Sequence, residues 1–144
     1  MPPLDEALTK LQHIARYNAI ILQLITSDVS KYDVDTCVAK IQTVVAKALE
    51  STNTVIVSEA PCRSDSKELN DKTLRVNARL HQLYPDNAKA SQQVHVCRNS
   101  NLSINDKPNP KFYTDGVNLS PQGLKRLLSN YKVALLPHLG LHHI

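Results

Sequence analysis

The sequence predicts an α/β fold of three layers, α/β/α, built on a short parallel sheet. Three observations carry that reading. Apolar, β-branched runs recur near residues 19–25, 54–58 and 93–97. Segments with apolar residues three or four positions apart separate these runs and close the chain. Each link between runs is long enough to cross over a sheet, and such strand–helix–strand units are right-handed and parallel.

Leu4, Leu8, Leu11 and Ala15 mark a first amphipathic helix, at about residues 4–15. Ala19-Ile20-Ile21-Leu22-Gln23-Leu24-Ile25 is nearly all apolar, as suits a strand buried on both faces of a parallel sheet. Thr26-Ser27-Asp28 follows as a polar loop. Asp33 or Asp35 can cap the next helix, because a short carboxylate accepts from the free N–H groups of a first turn. Its stripe is Val34, Val38, Ile41, Val45 and Leu49. Thr54 to Ser58 is a second strand, ending in the polar turn Glu59-Ala60-Pro61-Cys62-Arg63. A long helix runs from Lys67 to Leu83, with Leu69, Val76, Leu80 and Leu83 inward, and Tyr84-Pro85-Asp86-Asn87 ends it. Gln93 to Cys97 is a short third strand. Asn99 to Tyr113 reads as loop, since Pro108 and Pro110 break regular structure. Ser120 can cap a closing helix from Pro121 to Leu136, with Leu124, Leu127, Leu128 and Tyr131 inward.

At 144 residues, 42% hydrophobic and 21% charged, the chain fits one soluble domain. Tryptophan is absent and aromatics make up 4%, so the core must be aliphatic. Three glycines leave no Gly-rich phosphate loop. The net charge of +4 comes from scattered residues, and no basic patch is interleaved with aromatics. Nucleic acid is therefore a secondary expectation. Cys37, Cys62 and Cys97 are odd in number and far apart, which is neither a disulfide framework nor a zinc pattern and suits a reducing compartment. The N-terminus has no signal-peptide pattern and no apolar run reaches spanning length, so a cytoplasmic protein without membrane contact is expected. No cofactor or metal site is expected. His138, His142 and His143 cluster near the end, but Pro137 and Gly140 interrupt the helix that a shared metal face would need. His13 and His81 read as surface residues of helices, and His95 as a strand residue. Asn70 and Asn77, a helical heptad apart, can reach loops at the sheet edge or face solvent.

The most informative stretch is Asp115-Gly116-Val117-Asn118-Leu119-Ser120-Pro121-Gln122-Gly123. It resembles the last block of the SGNH (GDSL-type) hydrolases, Asp-x-x-His, which supplies the acid and base of a Ser-His-Asp triad. Ile21 to Ser30 resembles the family's third block, an apolar strand ending in Gly-x-Asn-Asp. Val55 to Pro61 resembles the next strand and its loop. The order of the three fits, and the resemblance runs from about Arg16 to Leu136. Within the family the pattern is most similar to the esterase-like domain of some retrotransposon-encoded animal proteins. The resemblance implies a flavodoxin-like α/β/α domain over residues 1–144, with a shortened sheet and without the first, Gly-Asp-Ser block.

The departures bear on function. No Gly-Asp-Ser occurs, so the nucleophile and the oxyanion-hole glycine of the second block are missing. The third-block glycine is Ile25, and its oxyanion-hole asparagine is Ser27. Asp28 and Asp115 match the family. The histidine position is Asn118, and a carboxamide cannot take a proton from serine near neutral pH as imidazole does. Asp115 thus reads as a vestigial acid. Aspartate before glycine is also a common turn residue, and Asn118 can support a loop without any catalytic past. No histidine lies beside Ser27 or Ser58 in sequence. The expectation is a degenerate esterase-like domain without hydrolase activity. The alternatives are an interaction or nucleic-acid-associated module of a retroelement-derived protein, and a piece of an active ester hydrolase whose nucleophile block lies upstream. A shortened sheet also predicts self-association through an exposed edge.

Overall fold

A computed structural model describes residues 19–23, 28–85 and 93–138. The expected helix at 4–15, Leu24 to Ser27, Asp86-Asn87 and His142-His143 lie outside the described residues. Three parallel strands form the sheet in the order β1-β2-β3: β1 is Ile20–Gln23, β2 is Val55–Ser58 and β3 is Val94–Cys97. Their register aligns Ile20 with Val55 and Val94, and Gln23 with Ser58 and Cys97. Helix α1 is Val34–Ala48, α2 is Lys67–Leu83 and α3 is Pro121–Leu135.

Side chains alternate across a strand, and this sorts the core into two layers. Leu22, Val55 and Val57 face α1 and α2, where Val38, Ile41, Val44, Val45, Val76 and Leu80 meet them. Ile56 and Cys97 point the other way, against Leu127 and Tyr131 of α3 and against Leu102, Phe112 and Tyr113. The α/β/α arrangement expected from the sequence follows directly. Among the described residues, one face carries two helices and the other carries one.

The helix starts follow side-chain chemistry. Asp33, not Asp35, caps α1: its Oδ1 accepts from the Thr36 N–H at 2.7 Å, while Asp35 pairs with Arg79 at 2.7 Å. The N–H of Thr36 also holds the Asp33 carboxyl below its usual pKa. Ser66 caps α2 and Ser120 caps α3. The Ser120 hydroxyl accepts from the Gly123 N–H at 3.1 Å and donates to the Lys111 carbonyl at 3.0 Å. Gly123 must lack a side chain, since a Cβ there would overlap the Phe112 carbonyl oxygen. That close approach seats the start of α3 on the preceding loop.

Several sequence expectations need correction. Leu124 and Leu128 are 51% and 55% exposed rather than inward, because α3 buries the narrower row Gly123, Leu127 and Tyr131. Leu83 is 37% exposed at the last position of α2. Strand β1 is only partly buried except at Leu22. The 99–113 segment is more regular than a loop. A short 3-10 turn, Ser100–Leu102, leads into an antiparallel hairpin of β4, Ser103–Ile104, and β5, Lys107–Pro108. Its central Asn105 and Asp106 both take positive φ, 52° and 63°, as a two-residue turn of this hand requires. No described helix is long and apolar enough to cross a membrane.

Candidate functional site

Two polar regions sit beyond the C-terminal ends of the strands, where ligands bind in open α/β sheets. The first is the loop of Asp115 and Asn118. A backbone bridge between Tyr113 and Leu119 closes it, and the Thr114 N–H donates to the Asn118 carbonyl at 2.9 Å. Inside that closure Asp115 folds back on its own loop. Its Oδ1 accepts from the N–H groups of Asn118 and Val117, both at 2.7 Å, and its Oδ2 accepts from Asn118 Nδ2 at 2.9 Å. The backbone N–H of Asn118, then that of Val117, then the Asn118 amide hold the carboxyl below the usual range. The loop docks on the segment after β2, where Ser64 N–H donates to the Gly116 carbonyl at 2.8 Å.

The structure therefore brings Asp115 and Asn118 into direct contact. The Asn118 amide donates to the carboxylate as the N–H of a histidine base would. Its other end differs from imidazole: an amide oxygen accepts a hydrogen bond but does not carry a proton away at neutral pH. Both side chains are exposed. Ser27 lies outside the described residues, so its place relative to this pair is not described.

The second region joins residues that the sequence did not connect. Ser58, Glu59, His81 and Asn99 form one network at the end of β2. Glu59 Oε2 and His81 Nε2 meet at 2.6 Å, and Glu59 Oε1 accepts from the Asn99 N–H at 2.8 Å. Asn99 Nδ2 donates to Ser58 Oγ and to the Glu59 carbonyl, both at 2.8 Å. Asn99 Oδ1 accepts from Asn130 of α3 at 3.1 Å, and Tyr131 donates to Ser58 Oγ at 3.0 Å. Ser58 and Asn99 are 1% and 2% exposed. His81 is thus half-buried on a carboxylate, not a plain surface residue, because α2 runs back along the segment that leaves β2. Asn77 takes the edge-reaching role open to it, bonding both the N–H and the carbonyl of Ala60 at 3.0 Å. Asn70 does the same for Arg63 N–H at 2.8 Å.

Burial governs the ionisable groups around this network. It pushes the Cys97 thiol up to about 11, helped by the charge of Glu59, and Tyr131 up to about 12. Tyr113, which donates to the Cys62 carbonyl at 2.7 Å, is also raised by burial. Ser58 Oγ donates to the Glu59 carbonyl and accepts from Asn99 and Tyr131, so its hydrogen bonds are taken up within the buried network. A cleft of about 410 Å³ opens beside the network, lined by Glu59, His81, Asn77, Ser100, Ser103 and Asp106 among others. A wider groove of about 540 Å³ lies between α1 and α2, where Asp33 and Asp35 face Lys72, Arg75 and Arg79. No group of metal-binding side chains forms among the described residues.

The arrangement of strands, helices and final loop can be compared with solved proteins. A GDSL-like lipase from Bacteroides thetaiotaomicron superposes with a TM-score of 0.77 at 18% identity, covering 96% of this chain and 73% of that one. The fold is that of the SGNH hydrolases. A member of the lipolytic G-D-S-L family from Veillonella parvula gives 0.69 at 14% identity, over 94% of this chain and 73% of that one. A carbohydrate esterase of family 3 from Talaromyces cellulolyticus gives 0.66 at 17% identity, over 83% of this chain and 57% of that one. No family model and no curated protein sequence matches the chain. The SGNH resemblance first seen in three short segments thus holds at the level of the fold.

Proposed function

We propose that this chain is a single SGNH-hydrolase-like domain, without the Gly-Asp-Ser block, that does not hydrolyse esters. The observation that supports the reading is the Asp115–Asn118 contact: an amide, where the sequence resemblance puts the base, donates its hydrogen bond to the carboxylate. Acyl transfer needs an activated hydroxyl, a base within reach and donors aimed at the oxyanion. The chain has no Gly-Asp-Ser, its base position is an amide, and Ser58 is locked in the buried network. Triad groups act as a unit, so loss of nucleophile and base together leaves binding as the remaining capacity of the fold.

The test is turnover of p-nitrophenyl acetate by the purified chain. The expected rate equals that of a heat-denatured control. A rate well above that control, abolished by Asp115→Ala, would overturn the proposal. Translation of the genomic sequence upstream of Met1 separates the alternative of an upstream nucleophile block. A strand ending in Gly-Asp-Ser there would favour an active hydrolase of which this chain is a piece.

A further inference from the structure

We infer that the outer face of α3, together with Lys111 of the loop before it, binds the phosphate backbone of nucleic acid without reading its sequence. Charge is divided unevenly along the chain. Residues 1–92 carry as many acidic as basic side chains, so the whole net charge of +4 falls in residues 93–144. There six basic residues stand against Asp106 and Asp115. Helix α3 itself holds no acidic residue.

The fold gathers what the sequence scatters. Lys125 and Lys132 are seven positions apart, so they fall on one line of the helix, about 10 Å from each other along its axis. That line is turned away from Leu127 and Tyr131, which face the sheet. Arg126 lies four positions before Asn130, on the flank that meets Asn99 and Asn101 past β3. Phe112 draws Lys111 to the same place: Lys111 Nζ is 5.7 Å and the Arg126 guanidinium carbon 5.2 Å from the centre of its ring. All four cations are exposed. Gln122 and Ser129, also exposed, lie between the lysine line and Arg126 and add amide and hydroxyl donors.

Among the described residues none of the four forms an ion pair, whereas Lys47, Arg63 and Arg79 are matched by Glu50, Asp65 and Asp35. The two acids of this part of the chain are turned elsewhere. Asp115 is bound by its own loop, and Asp106 sits beside α2, where Asn70 donates to its carbonyl at 3.0 Å. The excess of positive charge is a property of the residues present. Its Arg126 and Lys111 end lies on the β3 side, away from β1 and the residues that precede it.

Cations held this close repel one another, and a polyanion offsets that cost by supplying phosphates and releasing its own counterions. The step from Lys125 to Lys132 spans about three phosphates of one strand, at about 3.4 Å each. Phe112 is 6% exposed beneath its two cations, so it offers no platform on which bases stack. Contact is therefore with phosphates, which position a nucleic acid without specifying its sequence.

Fluorescence anisotropy of the full chain with a labelled oligouridine RNA and a labelled duplex DNA, each about 20 units long, tests the inference. Both should bind, with dissociation constants on the order of 10 µM at about 100 mM salt. The logarithm of the binding constant should fall with that of salt at a slope of about −2 to −4, as three or four phosphate contacts require. Lys125→Glu with Arg126→Glu should weaken both at least about tenfold, with the circular dichroism spectrum unchanged. Lys72→Glu with Arg75→Glu, the same change of charge on α2, should cost less than about threefold. If the first variant does not fold, Lys125→Gln with Lys132→Gln decides by making the salt slope shallower by about 1.5. No binding of either probe at about 50 mM salt overturns the inference. So does an α2 variant that weakens binding as much as the α3 variant, or a slope that the glutamine variant leaves unchanged. Capture of the chain by phosphatidylserine vesicles, with neither nucleic acid bound, also overturns it and assigns the face to a membrane surface.

Discussion

The two polar regions at the strand ends are built in opposite ways. Every hydrogen bond of the Asp115 carboxylate goes to a residue two or three positions away, and all of it is exposed. In the Ser58–Glu59–His81–Asn99 network, apart from the bond of Ser58 to the Glu59 carbonyl, the partners come from 22 to 73 residues away and are largely buried. The first region is a local turn that a short peptide pattern can specify. The second exists only once β2, α2, the segment after β3 and α3 have packed together. The region carrying the final motif is thus the energetically lighter one, and the region that joins the layers takes only Ser58 and Glu59 from a recognisable segment, while His81 and Asn99 come from outside any motif.

This difference can be broken or sharpened by substitution, beginning with the largest expected effect. Asn99→Ala removes bonds to Ser58 and the Glu59 carbonyl and strands buried polar atoms, so urea unfolding should show a loss of about 3 kcal/mol. An effect as small as that of a surface substitution would mean the network is not what joins α3 to the sheet. Glu59→Gln keeps an acceptor for the Asn99 N–H but weakens the pairing with His81. Its expected cost is about 1–2 kcal/mol by the same measurement, and His81→Ala made on top of it should add little.

The final loop should respond weakly. Asn118→Ala should move the melting midpoint by at most about 2 °C. Asn118→His, which places an imidazole beside Asp115, should give no ester hydrolysis; turnover of p-nitrophenyl acetate checks it. A gain there would show that a serine does lie within reach of the loop.

The smallest effect is the pH dependence of Asp115. Its pKa is lowered in the folded chain. The group then contributes stability that is present above the unfolded value near 3.9 and fades as pH falls through the lower folded value. Comparing acid unfolding of the wild type with Asp115→Asn should show a shallower fall in that range for the variant. The difference should be slight, because the site is fully solvated.

The elements were legible in the sequence to the extent that they follow periodicity and capping. The strands at 20–23, 55–58 and 94–97 were visible as apolar runs, and Ser120-Pro121 announced the start of α3. Leu124 and Leu128 show where that reading ends. Helical spacing places them beside Leu127 and Tyr131 on an apolar arc. Which part of the arc is covered depends on how many helices share a face of the sheet. His81 shows the same limit from the polar side. A histidine on a helix looks like a surface residue until the carboxylate across from it is known. The only available signal was Glu59 itself, a carboxylate placed directly after a wholly buried strand.

By itself the sequence determined the alternation of strands and helices and the Ser120 cap of the last helix. Each is set by residues within a few positions of one another, where hydrogen bonding and side-chain periodicity act without the rest of the chain. Only the tertiary structure decided that Asp115 holds the Asn118 amide, that Glu59, His81 and Asn99 form one buried network, and that α3 buries Leu127 and Tyr131 while Leu124 and Leu128 stay exposed among the described residues. Those outcomes depend on contacts between segments far apart in the chain, whose free energy arises when water leaves both partners at once.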